Sequence, residues 1–204
     1  MSTLEVGKIV PATGTAITLG DSGDTFTIPA SATLDVNGTI DVAGATLTGS
    51  FGKVLQVVQT VKTDTTSTTA VTTSLVDITG MTVDITPSAT TSKVLVFWST
   101  QVGTVANSGV NIRLVRDSAT PLLGDAASSR IRVTTLASPA HTEVMGVGNG
   151  VYLDSPSSTS SVTYKLQWSK NSAGTTYLNR SNVDTDSASY ARSTSSITVM
   201  EIGA

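Results

Sequence analysis

Apolar and polar residues alternate with a period of two along much of the chain after residue 52. In the stretch 162–168, VTYKLQW, every second residue is apolar. Successive side chains of a β-strand point to opposite faces, so this alternation predicts a strand with one buried and one exposed face. The same pattern, bounded by Gly, Pro, Asn and Asp, predicts further strands over residues 81–86, 110–116, 176–180 and 196–202.

The stretch 93–98, KVLVFW, departs from this alternation because five of its six residues are apolar. A near-continuous apolar run of this length is typical of a central strand that is covered on both faces. Pro87 ends the strand that precedes it. The stretch 63–74, which is rich in Thr and Ser, is predicted to form an exposed connection or an edge strand.

The first fifty residues contain a short repeat, in which TLDVNG at 33–38 is followed directly by TIDVAG at 39–44. A six-residue period of strand and turn is typical of a solenoid wall. Stacked repeats need neighbours to bury their apolar face, so we expect three chains to wind about one axis. The alternatives are a meander of hairpins, which Asn37-Gly38 favours, or a flexible tether. The apolar positions predicted to meet inside such a stem are Ile17, Leu19, Phe26, Ile28, Leu34, Val36, Ile40 and Val42.

Composition supports a chain made of strands. Ser and Thr supply about 60 of the 204 residues, and only 13% of the residues are charged, whereas about 25% is usual. We therefore predict an all-β protein with an N-terminal β-repeat stem or anchor, solenoid-like or intertwined, over residues 1–51. An antiparallel, jelly-roll-like β-sandwich follows over residues 52–204. Sandwich edges with few charges favour self-association, and a threefold arrangement of copies would cover them.

Charge and cysteine content exclude several classes of function. The formal net charge is −3 and no basic stripe is present, so we expect no nucleic-acid partner. The chain contains no cysteine, which excludes disulfides, thiolate metal sites and a cysteine nucleophile. No stretch approaches the ~18 consecutive apolar residues of a membrane-spanning helix, so we expect no membrane insertion.

Two motif matches do not amount to an active site. Gly20-Asp21-Ser22-Gly23 matches the sequence around the nucleophile of chymotrypsin-like proteases, but the chain has one histidine, His141, and is too short for two barrels. The same turn resembles a calcium-binding β-roll turn, yet such turns occur in tandem and this one is single. We predict no catalytic residue, no metal and no cofactor, and interpret the following carboxylates as turn residues: Asp117, Asp125, Asp154, Asp184 and Asp186.

Loops rich in Tyr, Asn, Ser and Gly are the predicted binding surface of the sandwich, because these residues make adaptable polar contacts. The alternative is that the loops bind nothing, and that Arg180 and Arg192 bridge neighbouring subunits through Asp184 or Asp186. Both tryptophans, Trp98 and Trp168, are predicted to lie in the core rather than to stack on a sugar. The predicted binding residues are Asn107, Ser108, Asn171, Tyr177, Asn179, Arg180 and Tyr190.

The order of several segments along the chain resembles that in structural proteins of marine tailed phages, cyanophages included. The stretch 20–49 resembles an N-terminal segment that recurs in those proteins, and the chain after Gly52 resembles their fibre-like C-terminal domain. The resembling elements are SKVLV (92–96), IRLVRDS (112–118), YLDSP (152–156), VTYKLQ (162–167), YLNRS (177–181) and STSSITVMEI (193–202).

This resemblance implies a virion protein: a homotrimer displayed as a fibre or spike and attached to other virion proteins, such as a capsid protein or a tail adaptor. It leaves head and tail attachment open, although a short chain without a long shaft fits a compact fibre or spike. Display on the particle implies contact with the host surface, for which a glycan is the expected ligand. The alternative is a stand-alone carbohydrate-binding adhesin. A third hypothesis is a depolymerase spike, an enzyme, but the short repeat provides little solenoid wall on which a substrate groove could form.

Overall fold

The computed structural model describes residues 53–203 and, before them, residues 25, 27, 28 and 37. The strands of the described part all belong to one compact unit, Gly49–Ala204. Among the predicted stem positions, Ile28 is described and is 38% exposed. The other seven lie outside the described residues, so the stem stays a prediction.

Strands make up the regular structure of residues 53–203, which contain no helix, and each pair of neighbouring strands is antiparallel. The described residues accordingly offer no helix long and apolar enough to cross a membrane. The all-β prediction is confirmed for this part of the chain. The strands are β1 (Val54–Lys62), β2 (Thr66–Thr68), β3 (Val76–Ile85), β4 (Lys93–Gly103), β5 (Val110–Arg116), β6 (Thr135–Ala137), β7 (Gly146–Asp154), β8 (Val162–Lys170), β9 (Thr176–Leu178) and β10 (Ser195–Ile202).

The strands form two sheets. In the first, β4 is the central strand, with β7 along one side and β10 along the other. β1 pairs with the far side of β10, while β9 pairs with the last two residues of β4 and with β2. The second sheet has the strand order β3-β8-β5-β6. Two antiparallel sheets that enclose one core give the sandwich arrangement that the sequence predicts.

The core lies between the two sheets and takes its largest side chains from β8 and β4. Trp168 and Tyr164 from β8 are almost completely buried, and Trp98 from β4 is 4% exposed. The predicted core position of both tryptophans is confirmed. β7 contributes glycine to this core, because a Cβ on Gly150 would lie 2.1 Å from the Trp98 ring.

The six predicted strands correspond to β3, β4, β5, β8, β9 and β10, and the predicted connection 63–74 contains the short strand β2. The prediction that 93–98 is covered on both faces is wrong within residues 53–203. Val94, Val96 and Trp98 point into the core, whereas Phe97 on the opposite face is 38% exposed. β1, β6 and β7 have no counterpart among the predicted strands.

The sandwich has two ends that differ in what they carry. Lys53 and Gly203 meet at one end, where the Gly203 amide donates to the Lys53 carbonyl at 2.9 Å. We call this the connection end, because residues 1–52 join the sandwich here. The opposite end, which we call the loop end, is formed by residues 63–75, 104–109, 138–145, 171–175 and 179–194. The nine residues of β1 separate the two ends by about 30 Å.

Candidate functional site

All seven predicted binding residues lie at the loop end or on β9 beside it. They come from three separate stretches of the sequence, around residues 107, 171 and 177–190. The antiparallel order brings these stretches to one end, because β4 and β8 finish there and β5 and β10 begin there. The fold therefore gathers residues that are up to 83 positions apart (190 − 107).

The loops at 107–109 and 171–172 contact each other directly. The Ser108 hydroxyl donates to the Asn171 side-chain oxygen at 3.2 Å and lies 3.2 Å from the Ser172 hydroxyl. The backbone amide of Asn171 donates to the Gly109 carbonyl at 3.0 Å. Ser108 is buried by these contacts, while Asn107 and Asn171 are exposed. Ser108 thus holds the two loops together, and the two asparagines remain at the surface.

A second group of predicted residues surrounds a polar hollow of about 380 Å³ beside β2 and β9. The Arg180 guanidinium lies over the Tyr177 ring, 3.8 Å from its centroid, in the geometry of a cation–π contact. This stacking covers one face of the tyrosine ring, so that face is closed to a sugar. The hydroxyls of Thr65, Thr66 and Ser67 line the rest of the hollow.

An ionic cluster of Asp184, Arg180 and Arg192 lies between this hollow and a second one. Asp184 accepts hydrogen bonds from both Arg180 and Arg192, the latter at 2.8 Å. On the other side, Asp184, Arg192 and Tyr190 line a hollow of about 370 Å³ together with residues 185–187. Sequence reasoning allowed these arginines to bridge neighbouring subunits. Within the chain both arginines pair with Asp184, because residues 180 and 192 lie side by side, and a bridge between subunits stays a prediction.

Asn179 is a structural residue rather than part of the surface. It is completely buried and adopts a left-handed backbone with φ of 62°. Its side-chain amide donates to the carbonyls of Lys62 and Asp64 at 2.8 and 2.9 Å, and its oxygen accepts from the Ser195 hydroxyl at 2.6 Å. Every polar atom of the side chain is engaged inside the chain, which leaves Asn179 no free group for a ligand.

Two buried carboxylates at the connection end have partners that the sequence analysis did not predict. Asp154, interpreted there as a turn residue, is 3% exposed and binds Arg116 through two contacts of 2.9 and 2.7 Å. It also accepts from the Tyr164 hydroxyl at 2.7 Å. Burial, followed by this hydrogen bond, raises the pKa of Tyr164. The backbone amide of Ser155 donates to Asp154 at 2.9 Å, so the predicted bond to neighbouring backbone is present, and the contacts with Arg116 and Tyr164 add a buried role that the turn interpretation did not include.

Glu201 is the second such group and is completely buried on β10. One of its oxygens accepts from the Ser88 amide, the Ser88 hydroxyl and the Ser92 hydroxyl at 2.6 to 2.7 Å. The other accepts from the Gln56 side chain at 2.6 Å. Burial alone would raise the pKa of Glu201, but these hydrogen bonds outweigh it and lower the pKa to about 2. The arrangement anchors the 86–92 loop.

The chemistry available at the loop end is hydrogen bonding. Side chains with hydroxyl, guanidinium and carboxylate groups line its two hollows, a set that suits a ligand with many hydroxyl groups. His141 is exposed in the 138–145 loop. Within residues 53–203, no three His, Asp or Glu side chains are grouped as a metal site would require.

Comparison with known proteins gives no relative to set beside this geometry: no family model matches the chain, and no curated protein matches it.

Proposed function

We propose that the chain is a non-enzymatic virion protein of a tailed phage, a homotrimeric fibre or spike whose sandwich is displayed on the particle. The observation that carries the proposal is the separation of the two ends. The chain enters the sandwich beside Gly203, while the seven predicted binding residues lie about 30 Å away, five of them exposed or half-exposed and two, Ser108 and Asn179, buried. A domain held at one end and offering polar loops at the other is suited to display.

The strand order also supports the finer fold within this proposal. Leaving out the short strands β2 and β9, eight strands remain, ordered β1-β10-β4-β7 in one sheet and β3-β8-β5-β6 in the other. Consecutive strands such as β3 and β4 therefore lie in opposite sheets. We interpret this as a jelly roll, which is an eight-stranded double sheet built from two Greek keys. The solenoid-like stem over residues 1–51 belongs to the same proposal and rests on the sequence repeat.

Two measurements test the proposal. Light scattering of the native protein should give 62.7 kDa, three chains of 20.9 kDa each; a mass of one chain at all concentrations would refute the trimer. Mass spectrometry of density-purified particles of the virus that encodes the chain should recover its peptides with those of capsid or tail proteins. Peptides found in the lysate and absent from the particles would refute the virion role.

A stand-alone carbohydrate-binding adhesin is the second candidate, and the two adjoining polar hollows favour it. A glycan array probed with the whole chain tests glycan binding. If Arg192→Ala loses the glycan signal and the exposed control Arg130→Ala keeps it, the glycan-binding site lies at the loop end. Binding by a protein that is monomeric and absent from particles would favour the adhesin over the spike.

A further inference from the structure

The first sheet has a second apolar face, on the side that points away from the core. We call it the outer face and define it by the outward side chains of β1, β10, β4 and β7. Because paired residues share a face of the sheet, the strand register sets these side chains in rows across all four strands. Two adjacent rows are Val57–Met200–Leu95–Leu153 and Gln59–Thr198–Phe97–Val151.

The outer face exposes as much apolar surface as the largest patches found on solitary domains. Six of its residues are between 51% and 57% exposed, and Phe97 is 38% exposed. Together these side chains present on the order of 600 Å² of apolar surface, at the upper end of the largest patch on a typical monomer. The six residues are Val54, Val57, Val61, Val147, Val151 and Leu153.

That area matches the requirement of a protein interface. A standard interface buries about 800 Å² on each partner, of which about 65% is apolar in homo-oligomers. Buried in full, the outer face therefore supplies the apolar share of about one such interface, which a threefold ring would divide between the two neighbours of each chain. Lys93, at the connection end, is the one charged side chain among the outward residues of these four strands, and its Nζ donates to the Ser155 hydroxyl at 2.8 Å. Two copies of this face carry almost no like charge to repel each other.

We infer that the outer face is covered by further copies of this chain. The inference rests on the proposed homotrimer and names the surface that forms it. In a closed threefold ring each chain must offer two different patches, one to each neighbour. The outer face has two such patches at opposite edges: the β1 ridge, Val54, Val57 and Val61, and the β7 ridge, Val147, Val151 and Leu153.

The arrangement fixes which residues meet. Rotation about a threefold axis parallel to the strands moves no residue along that axis. Residues of one row therefore face the same row of the neighbouring chain, and Val57 of one chain meets Leu153 of the next. Val147 lies six residues from Leu153 on the same strand, about 20 Å farther along the axis.

Disulfide trapping in the whole chain tests this pairing. No natural cysteine can form a competing disulfide, because the sequence contains none. The test variant is Val57→Cys/Leu153→Cys, and the matched control is Val57→Cys/Val147→Cys. A disulfide requires Cα atoms within about 7 Å. After mild oxidation we expect the test variant to form covalent dimers and trimers in at least tenfold greater yield than the control or either single substitution.

The outcomes separate the inference from the proposed function. Suppose that the native mass is that of three chains, but that Val151→Cys reacts with maleimide as fast as Leu136→Cys on the other sheet. The trimer would then be retained, and the outer face would be refuted as its interface. Equal trapping in the test and control variants would overturn the row-to-row pairing. A monomer whose Val151→Cys is unreactive would mean that the chain's own residues cover the face, which overturns the inference as well as the trimer.

Discussion

Glu201 offers the most quantitative test of what holds the sandwich together. The carboxylate is buried and accepts four hydrogen bonds, which lower its pKa from the ordinary 4.5 to about 2. At about 1.4 kcal/mol for each pKa unit, this difference gives the ionised group about 3 kcal/mol of stabilisation. Because the pKa is lower in the folded state, that stabilisation is complete well above pH 4.5 and is lost as the pH falls towards 2.

The perturbation is Glu201→Gln, which keeps the size of the side chain but replaces one acceptor oxygen with an amide donor. At pH 7 we expect the free energy of unfolding to fall by about 3 kcal/mol, since buried donors lose a charged partner. Between pH 7 and pH 3 the natural chain should lose about 2 kcal/mol from this residue through linkage. The variant lacks that contribution, so the difference between the two proteins should narrow to about 1 kcal/mol at pH 3.

Urea unfolding followed by tryptophan fluorescence is a suitable assay, because Trp98 and Trp168 are both buried in the core. The protein concentration must be held constant, since the stability of an oligomer depends on it. Glu143→Gln is the matched control: Glu143 is exposed, and its substitution should leave the free energy of unfolding at pH 7 unchanged. A difference between Glu201→Gln and the natural chain that stays constant from pH 7 to pH 3 would refute the reasoning.

Three further substitutions test other contacts. Gly103→Ala should destabilise by more than ~2 kcal/mol in urea unfolding, because its Cβ would lie 2.1 Å from the Arg180 carbonyl oxygen; Gly124→Ala, with 3.8 Å to its nearest neighbour, should be near neutral. Tyr164→Phe should cost about 2 kcal/mol in the same assay, since it removes a buried hydrogen bond to Asp154. Leu153→Glu should convert trimer to monomer in light scattering, whereas Leu136→Glu, equally exposed on the second sheet, should not.

The fold class could be predicted from the sequence because six strands have their apolar residues on the core side. β7 escaped prediction because its pattern is inverted. Its inward positions at 148 and 150 are glycines, since Ile112 and Trp98 fill the space where a Cβ would lie, and its large apolar residues point outward. β1 is inverted in a similar way, with Val57 and Val61 outward and the polar Lys62 inward. Periodicity detects a strand but does not tell which face is buried.

The loop end could be predicted only by residue type. Tyr, Asn and Ser in loops identified the right segments, and the fold brings them together at one end. The roles within that group depend on backbone geometry that the sequence does not display. Asn179 is buried because its left-handed backbone turns the side chain towards Lys62 and Asp64. Asp184 pairs with two arginines of its own chain because the strand pairing places them side by side.

The apolar run 93–98 connects the sequence to the proposed assembly. Its composition predicts cover on both faces, and the described residues 53–203 cover one. The two strands with inverted patterns, β1 and β7, belong to the same sheet and lie beyond β10 and β4, one at each edge. They extend the uncovered surface to both edges of the sheet. The apolar run 93–98 and the two inverted strands β1 and β7 therefore all contribute to one surface, the outer face. Under the proposed trimer each of them has the same cause, because these positions are buried against the neighbouring copies.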